Sequence, residues 1–289
     1  MTPGDVDAGL RLCRQSRWNQ VARDWEPFLD KARGSAHVAI TEQDEVVGSV
    51  ATIRYPASPA SPGEPTLAWV AMVLVDPELR GRGIGTSLLE QGLASAADVT
   101  TVGLDATPLG QRLYERLGFC VEETLTRMER AAGPVAVAVE ADTPDAPPVR
   151  PMTPEDLVAV ARLDAQATGL ERSHMLRWLR DGAPQLARVA TDGAGVTGFV
   201  LGRRGHLFDH VGPVVATSVG AAVRLIRACM QHQEHPLIVD LVDGQHGLRA
   251  AAEALGFAAQ RPFTRMYRGD WRPAADRRLA FAVIGPEFG

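Results

Sequence analysis

A glycine-rich turn at residues 80–86 combines residue types that bind phosphate groups. Its glycines at positions 81, 83 and 85 allow backbone conformations with positive φ and bring main-chain N–H groups close to a ligand. A helix that follows such a turn adds unpaired N–H donors and a partial positive charge. Arg80 and Arg82 add formal positive charge. The turn therefore predicts an anion site, although it has neither the Gly-Lys-Ser/Thr end of a P-loop nor the Gly-x-Gly-x-x-Gly dinucleotide fingerprint.

The elements on either side of this turn are predicted to be a strand and a helix. Residues 67–75 form an apolar run typical of a strand buried on both faces, and residues 85–97 carry apolar side chains at helical spacing. With this strand before it, the pattern Arg80-x-x-Gly83-x-Gly85 resembles the pyrophosphate-binding motif of the GNAT (GCN5-related N-acetyltransferase) superfamily. The resemblance implies an acetyl-coenzyme A site.

A second motif follows at the expected distance. Residues 102–107 predict a short strand, and the next helix is expected to have Thr107 as its cap, a proline at its first position and Gly118 at its left-handed end. The sequence Leu-Tyr-Glu-Arg-Leu-Gly-Phe at 113–119 is similar to the second superfamily motif, whose tyrosine, here Tyr114, lies beside the coenzyme sulfur. The family often carries Asn where Thr107 stands, so this chain departs from the family motif at the side chain that would contact the pantetheine arm.

These two motifs imply a set of coenzyme-binding residues and one catalytic residue, with no metal. A tyrosine has an ordinary pKa near 10, so Tyr114 stays protonated at neutral pH and can donate to the departing thiolate. Backbone groups of residues 72–75 can serve the oxyanion if their strand splays from its neighbour at a bulge. The predicted coenzyme-binding residues are Met72, Val73, Leu74, Val75, Arg80, Gly81, Arg82, Gly83, Ile84, Gly85, Thr86, Thr107 and Gly110.

The general base cannot be assigned from the sequence. Asp105, His37 and Asp24 are candidates, and each also fits a structural or solvated role. No general base is needed when the pKa of the acceptor amine is modest, because loss of the amine proton to bulk water then supplies the neutral nucleophile.

Composition sets the class of protein. The chain has 289 residues, 45% hydrophobic residues and a net charge of −5, enough for two domains with well-formed cores. Mixed charges do not favour a nucleic-acid partner, and the absence of long apolar runs does not favour a membrane partner. Three widely spaced cysteines and histidines without metal-ligand spacing indicate reduced thiols and a cytoplasmic location.

The chain is predicted to contain two tandem α/β domains, each with a mixed sheet and the GNAT fold. Prolines in residues 141–151 indicate a stiff linker between an acetyltransferase domain at 1–140 and a second domain at 152–289. The second domain repeats the pattern of strands and helices but lacks the glycine-rich turn after Ala216, and Ala252 stands at the tyrosine position. One coenzyme site per chain is therefore expected. The second domain could complete the acceptor pocket, form a homodimer or add stability.

A cluster near the amino-terminal end predicts the acceptor side. In the superfamily the first two helices and their loop wall the acceptor pocket, and here this region contains Trp18, Asn19, Gln20, Asp24 and Trp25. If the segment is one continuous helix, both indoles share a face and can form a cage in which Asp24 attracts an ammonium group. The alternative is a core stripe with polar caps.

Nearly the whole chain resembles a tandem bacterial acetyltransferase group that has an active first domain and a degenerate second one. The second domain of that group ends with Thr-Arg-Met-Tyr-Arg-Gly, present here at residues 264–269. The resemblance implies direct acetyl transfer, within a ternary complex, to the amine of a small molecule. A coenzyme-binding sensor or interaction protein without catalysis, and an acyltransferase with a longer acyl donor, are the alternatives.

Overall fold

The computed structural model describes residues 1–58, 66–133, 147–231, 235–270 and 272–289. Residues 1–133 are called the first half and residues 147–289 the second half. The helices are α1 (Val6–Gln15), α2 (Glu26–Leu29), α3 (Ile84–Ala94), α4 (Gln111–Arg116), α5 (Leu157–Thr168), α6 (Ser173–Gly182), α7 (Val219–Met230) and α8 (Leu248–Ala254). The strands are β1 (Gly34–Ile40), β2 (Val46–Tyr55), β3 (Leu67–Val75), β4 (Thr101–Ala106), β5 (Cys120–Arg130), β6 (Val149–Pro151), β7 (Arg188–Asp192), β8 (Gly195–Arg203), β9 (Asp209–Ala216), β10 (Leu237–Val242), β11 (Ala258–Arg268) and β12 (Ala280–Ala282). Short 3₁₀ helices cover Pro3–Asp5, Ala22–Trp25, Pro77–Leu79, Pro154–Asp156, Pro184–Leu186 and Arg277–Leu279.

The described strands form one mixed sheet of 12 strands with helices on both faces. The strand order is β1-β2-β3-β4-β11-β5-β10-β12-β9-β8-β7-β6. Strand β3, inside the sheet, shows why a strand in this position needs a continuous apolar run. Leu67, Trp69 and Ala71 pack with α1 in one core cluster, whereas Ala68 and Val70 pack with α3 in another. Because successive side chains point to opposite faces, burial on both faces selects an unbroken apolar sequence.

The two halves exchange strands at the centre of the sheet. β11 of the second half lies between β4 and β5 of the first half, and β5 pairs on its other side with β10 of the second half. The Thr-Arg-Met-Tyr-Arg-Gly motif forms most of the β4 contact, where Met266 is buried opposite Leu104. The predicted α/β fold with mixed sheets is confirmed, and the sheets of the two halves are continuous because the halves share these strands.

Several predicted elements are confirmed, and others begin elsewhere. β3 spans the predicted residues, and the helix after the turn starts at Ile84. Thr107 does not cap α4, which begins at Gln111; its side chain and carbonyl instead accept hydrogen bonds in the preceding turn. Gly118 ends α4 with a φ of 84°, as predicted.

Residues 141–146 of the predicted linker, and residues 134–140 before it, lie outside the described residues. Residues 149–151 form the edge strand β6, which pairs with β7. The division of the chain into domains at 1–140 and 152–289 stays a prediction. None of the described helices is long and apolar enough to cross a membrane.

Residues 283–289 run through the joint between the two halves. The Phe288 ring is fully buried and stacks on Phe28 of the first half, with ring centroids 5.3 Å apart, and its centroid lies 5.5 Å from that of Trp178 of the second half. Tyr55 and Trp69 of the first half donate hydrogen bonds to carbonyl groups of this segment. The segment therefore contacts both cores at once.

Candidate active site

The turn after β3 presents main-chain donors without side-chain obstruction. Gly81 and Gly83 have φ values of 78° and 85°, and a Cβ atom on either would meet no atom within 4 Å. The left-handed conformation, rather than lack of space, therefore requires glycine. Gly83 is the N-cap of α3 and makes no side-chain cap hydrogen bond, so the amides of the first helical turn keep their donors free. This geometry fits a phosphate group.

The two arginines of the turn are exposed beside these amides. The Arg80 guanidinium donates to the Val75 carbonyl at 3.2 Å and to the Ser16 hydroxyl at 3.3 Å, which orients it next to the turn. Arg82 lies exposed on the surface between the two glycines. Ile84, Gly85 and Thr86 form the first turn of α3 and are half-buried.

β3 and β4 separate beyond their first residues, and the resulting opening is called the splay. Their parallel pairing runs from Leu67 to Trp69 on β3 and stops there. Beyond it, β3 bulges against β2: Met72 has a φ of 53°, and the register shifts opposite Ser49, whose hydroxyl donates to the Met72 carbonyl at 2.8 Å. The bulge and the splay together leave backbone groups of residues 70–75 without a strand partner on the β4 side in the described chain.

Tyr114 stands at the splay on α4. Its ring packs edge-on against Phe119 at a centroid distance of 6.0 Å, and a Cβ atom on Gly110 would lie only 2.9 Å from its Cε2 atom. Gly110 therefore makes room for the ring. Burial raises the pKa of Tyr114 to about 12, so its hydroxyl carries a proton at neutral pH.

A cavity of about 50 Å³ opens at the splay and is called the splay cavity. Predicted residues of β3 and of the second motif meet in its wall, where residues of the second half also contribute, whereas the turn at 80–86 and Gly110 do not line it. The lining residues are Trp18, Asn19, Gln20, Val70, Ala71, Met72, Val73, Leu104, Asp105, Thr107, Tyr114, Arg127, Arg261, Phe263, Pro286 and Glu287. Leu74 and Val75 lie further along β3, toward the turn.

The predicted acceptor cluster is only partly brought together. Trp18, Asn19 and Gln20 line the cavity, but Asp24 and Trp25 do not. α1 ends at Gln15, so the segment is not the continuous helix that a two-indole cage needs. The Trp25 side chain is fully buried in the core.

Asp24 has a structural partner in place of an ammonium ligand. Its carboxylate lies 3.0 Å from Nη1 of Arg203 and accepts the backbone N–H of Val21 at 2.8 Å. Burial raises the pKa of Asp24 to about 6, although Arg203 acts in the opposite direction. The prediction that Asp24 attracts the acceptor is therefore corrected, because Asp24 is buried against the second half.

Asn19 also holds the two halves together. Its side-chain amide donates to the Phe208 carbonyl at 2.9 Å, and its oxygen accepts the N–H groups of Leu207 and Phe208. Gln20 donates to Glu287, so the wall of the splay cavity is fixed by contacts between the halves.

The two carboxylates in the cavity wall are both engaged by arginines. Asp105 receives two hydrogen bonds from Arg265, at 2.9 and 2.8 Å, and burial raises the pKa of Asp105 against the effect of Arg265. Glu287 accepts from Arg203 at 2.9 Å; burial opposes its ionisation, but Arg203 and its neighbours outweigh burial and lower the pKa of Glu287. His37 bonds to Ser95 and does not line the cavity.

The corresponding splay of the second half is filled by the chain itself. β9 and β10 pair in parallel at their beginnings and then separate, as β3 and β4 do. β12 lies between them and pairs with both. Ser218 is the N-cap of α7, and its side chain accepts a hydrogen bond from the Ala221 N–H. Ala252, which stands at the tyrosine position in the sequence pattern, is buried.

Sequence reasoning missed the cavity residues that come from distant parts of the chain. Arg127 and Glu287 are polar residues in segments without a motif, and Arg261 lies on the exchanged strand. Their burial marks Arg127 and Glu287, and the buried Nε atom marks the half-buried Arg261, but these features are visible only in the tertiary structure.

The splayed parallel strands, the glycine-rich turn and the open helix N-terminus define an acyltransferase of the type that binds an acyl-coenzyme A. Two family profiles, both described as acetyltransferase (GNAT) domain, match residues 33–121 and residues 160–282. Together they cover more than half of the chain. The chain therefore belongs to the GNAT acetyltransferase family, whose members use an acyl-coenzyme A donor.

Similar proteins agree with this assignment. The chain is 24% identical over 276 residues to holothin acyltransferase of Pseudoalteromonas sp. (strain SANK 73390), covering 94% of this chain and 87% of that protein. A GCN5-related N-acetyltransferase structure from Sphaerobacter thermophilus superposes with a TM-score of 0.63 at 18% identity, covering 96% of each chain. A tandem GNAT protein from the clavulanic acid biosynthesis pathway gives a TM-score of 0.66 at 18% identity, covering 93% of this chain and 97% of that one.

Proposed function

We propose that the protein transfers an acetyl group from acetyl-coenzyme A to the amine of a small molecule, at a single site in the first half. The observation that carries this proposal is the position of Tyr114 in the wall of the splay cavity, in the same half of the chain as the uncapped N-terminus of α3 after Gly83. β12 occupies the corresponding opening of the second half, which supports one site per chain.

Each part of the site has a chemical task. The turn and α3 hold the pyrophosphate, and backbone donors of residues 70–75 stabilise the oxyanion. The amine nitrogen forms a bond to the thioester carbonyl carbon, and the bond from that carbon to sulfur breaks. Tyr114 gives its proton to the departing sulfur and regains one from solvent, while the amine releases its proton to water.

The ion pairs of the two carboxylates in the cavity wall determine in which protonation state the amine must enter. Asp105 is hydrogen-bonded to Arg265 and Glu287 to Arg203, so neither carboxylate is free to act as a strong base. The acceptor therefore enters as a neutral amine, formed by exchange with bulk water.

Thioester consumption with a panel of amines tests the proposal. The wild-type protein should release coenzyme A with some amines, and Tyr114→Phe should lower kcat by about 10²- to 10⁴-fold. Tyr267→Phe makes the same chemical change outside the splay cavity and should keep full activity. Unchanged turnover in Tyr114→Phe would remove the hydroxyl from the mechanism. A series of longer acyl-coenzyme A donors would show whether the site prefers a longer chain.

A further inference from the structure

Arg261 differs from the other charged side chains in the wall of the splay cavity. Its Nε atom is buried without a hydrogen-bond partner, and no carboxylate of the described chain forms an ion pair with it. Each of the others has a partner: Asp105 bonds to Arg265, Arg127 to Asp240 and Glu287 to Arg203.

The surroundings of Arg261 hold its guanidinium group in place without neutralising it. The group lies 5.0 Å from the centroid of the Phe263 ring, and the strand register sets Arg261 opposite Arg127. Burial, followed by the nearby charge of Arg127, lowers the pKa of Arg261. A buried donor without a partner costs free energy, and a ligand that supplies the missing acceptor recovers it.

We infer that Arg261 binds a carboxylate group of the acceptor, so that the substrate class is an amine that also carries a carboxylate. The inference rests on the proposed function. A guanidinium group presents a planar fork of N–H donors that matches the two oxygens of a carboxylate. The stacked position on Phe263 leaves less side-chain freedom to lose when the ligand binds.

The same charge assists the chemistry of the amine. Pairing with the guanidinium group offsets the negative charge of the acceptor carboxylate, which would otherwise stabilise the ammonium form and raise the pKa of the amine. This effect supplies neutral nucleophile in a cavity where Asp105 and Glu287 are already paired.

Matched amines test the inference through turnover. Each pair consists of an amine with a carboxylate and the same amine with an uncharged amide in its place. The pairs are glycine and glycinamide, β-alanine and β-alaninamide, and 4-aminobenzoate and 4-aminobenzamide. The wild-type protein should favour the carboxylate member of at least one pair by about 10- to 100-fold in kcat/KM. Arg261→Gln should abolish this preference, and Arg261→Lys should keep part of it. Arg268→Gln, an exposed arginine on the same strand, should behave as wild type.

Binding of a carboxylate without an amine separates this inference from the proposed function. Benzoate and benzamide are titrated calorimetrically into each variant in the presence of coenzyme A. Selective binding of benzoate to wild type, lost in Arg261→Gln, supports the inference even if no amine is acetylated. Equal binding of benzoate to both variants, or to neither, overturns it. So does amine turnover without a preference for carboxylates, which would leave the proposed function intact.

Discussion

Arg127 donates two hydrogen bonds to the carboxylate of Asp240, from Nε and from Nη2, each 2.7 Å long. Arg127 lies on β5 of the first half and Asp240 on β10 of the second half, directly opposite in the sheet. Both side chains are buried. Removing one partner from such a pair leaves an uncompensated buried charge, so the pair favours one arrangement of the two halves.

The network continues from this pair toward the amino-terminal segment. His210 lies 3.0 Å from Asp240 and 3.1 Å from Arg203, which in turn contacts Asp24 and Glu287. Because Glu287 and Arg127 also line the splay cavity, the contacts that join the halves shape the cavity wall.

The glycine-rich turn should depend on the left-handed conformation of Gly83. An alanine in this conformation is strained by about 1–2 kcal/mol, so Gly83→Ala should displace the amides of the turn and weaken binding of coenzyme A about tenfold. Isothermal titration calorimetry with coenzyme A measures this effect. Gly193→Ala is the matched control, because Gly193 also has open space around its Cβ position but lacks positive φ. Unaltered affinity in Gly83→Ala would show that the turn does not bind the pyrophosphate.

Phe288 should contribute strongly to stability because its ring packs against both halves. Phe288→Ala removes a fully buried aromatic side chain and should lower the free energy of unfolding by about 3–5 kcal/mol. Urea unfolding followed by tryptophan fluorescence gives this value. Val158→Ala, at a position 72% exposed, should change it by less than about 0.5 kcal/mol. A similarly small loss in Phe288→Ala would contradict the packing of the Phe288 ring against both halves.

Asp24 should give stability a pH dependence of a definite sign. Its pKa is about 6 in the folded chain against an ordinary value of 3.8, so the folded state retains the proton that the unfolded state has already lost. Its contribution to stability is therefore fully present below about pH 4 and is lost as pH rises through 6. The free energy of unfolding of wild type minus that of Asp24→Asn should fall between pH 4 and 6. Urea unfolding at several pH values measures it, and a difference that rises with pH would contradict the assignment.

The strand exchange predicts that the halves depend on each other for folding. Residues 1–133 alone lack β11, which separates β4 from β5, and residues 147–289 alone lack β5 beside β10. Each piece expressed alone should unfold without a cooperative transition or associate through its open strands. Co-expressed pieces should form a complex that unfolds cooperatively. A monomeric first piece with a cooperative transition would show that the exchange is not needed.

Local patterns in the sequence were sufficient for the parts of the site that neighbouring residues build. The apolar run predicted β3 because burial on both faces leaves no room for polar residues, and positive φ at Gly83 and Gly118 follows from glycine being the residue type that adopts it freely. Helix starts were less accurate: α4 begins at Gln111, because residues 107–110 form a turn first. The interpretation of Asp24 and Trp25 was not supported, because the helix they needed ends at Gln15.

The sequence by itself determined the two sets of strands and helices, the phosphate-binding turn and the tyrosine of the second motif, since each depends on residues close together in the chain. Only the tertiary structure decided that β11 and β5 change places, that β12 fills the second splay and that Glu287 and Arg261 reach the cavity of the first. A strand has the same alternation of side chains whichever neighbour it pairs with, so its partner is chosen by contacts between residues far apart in the chain.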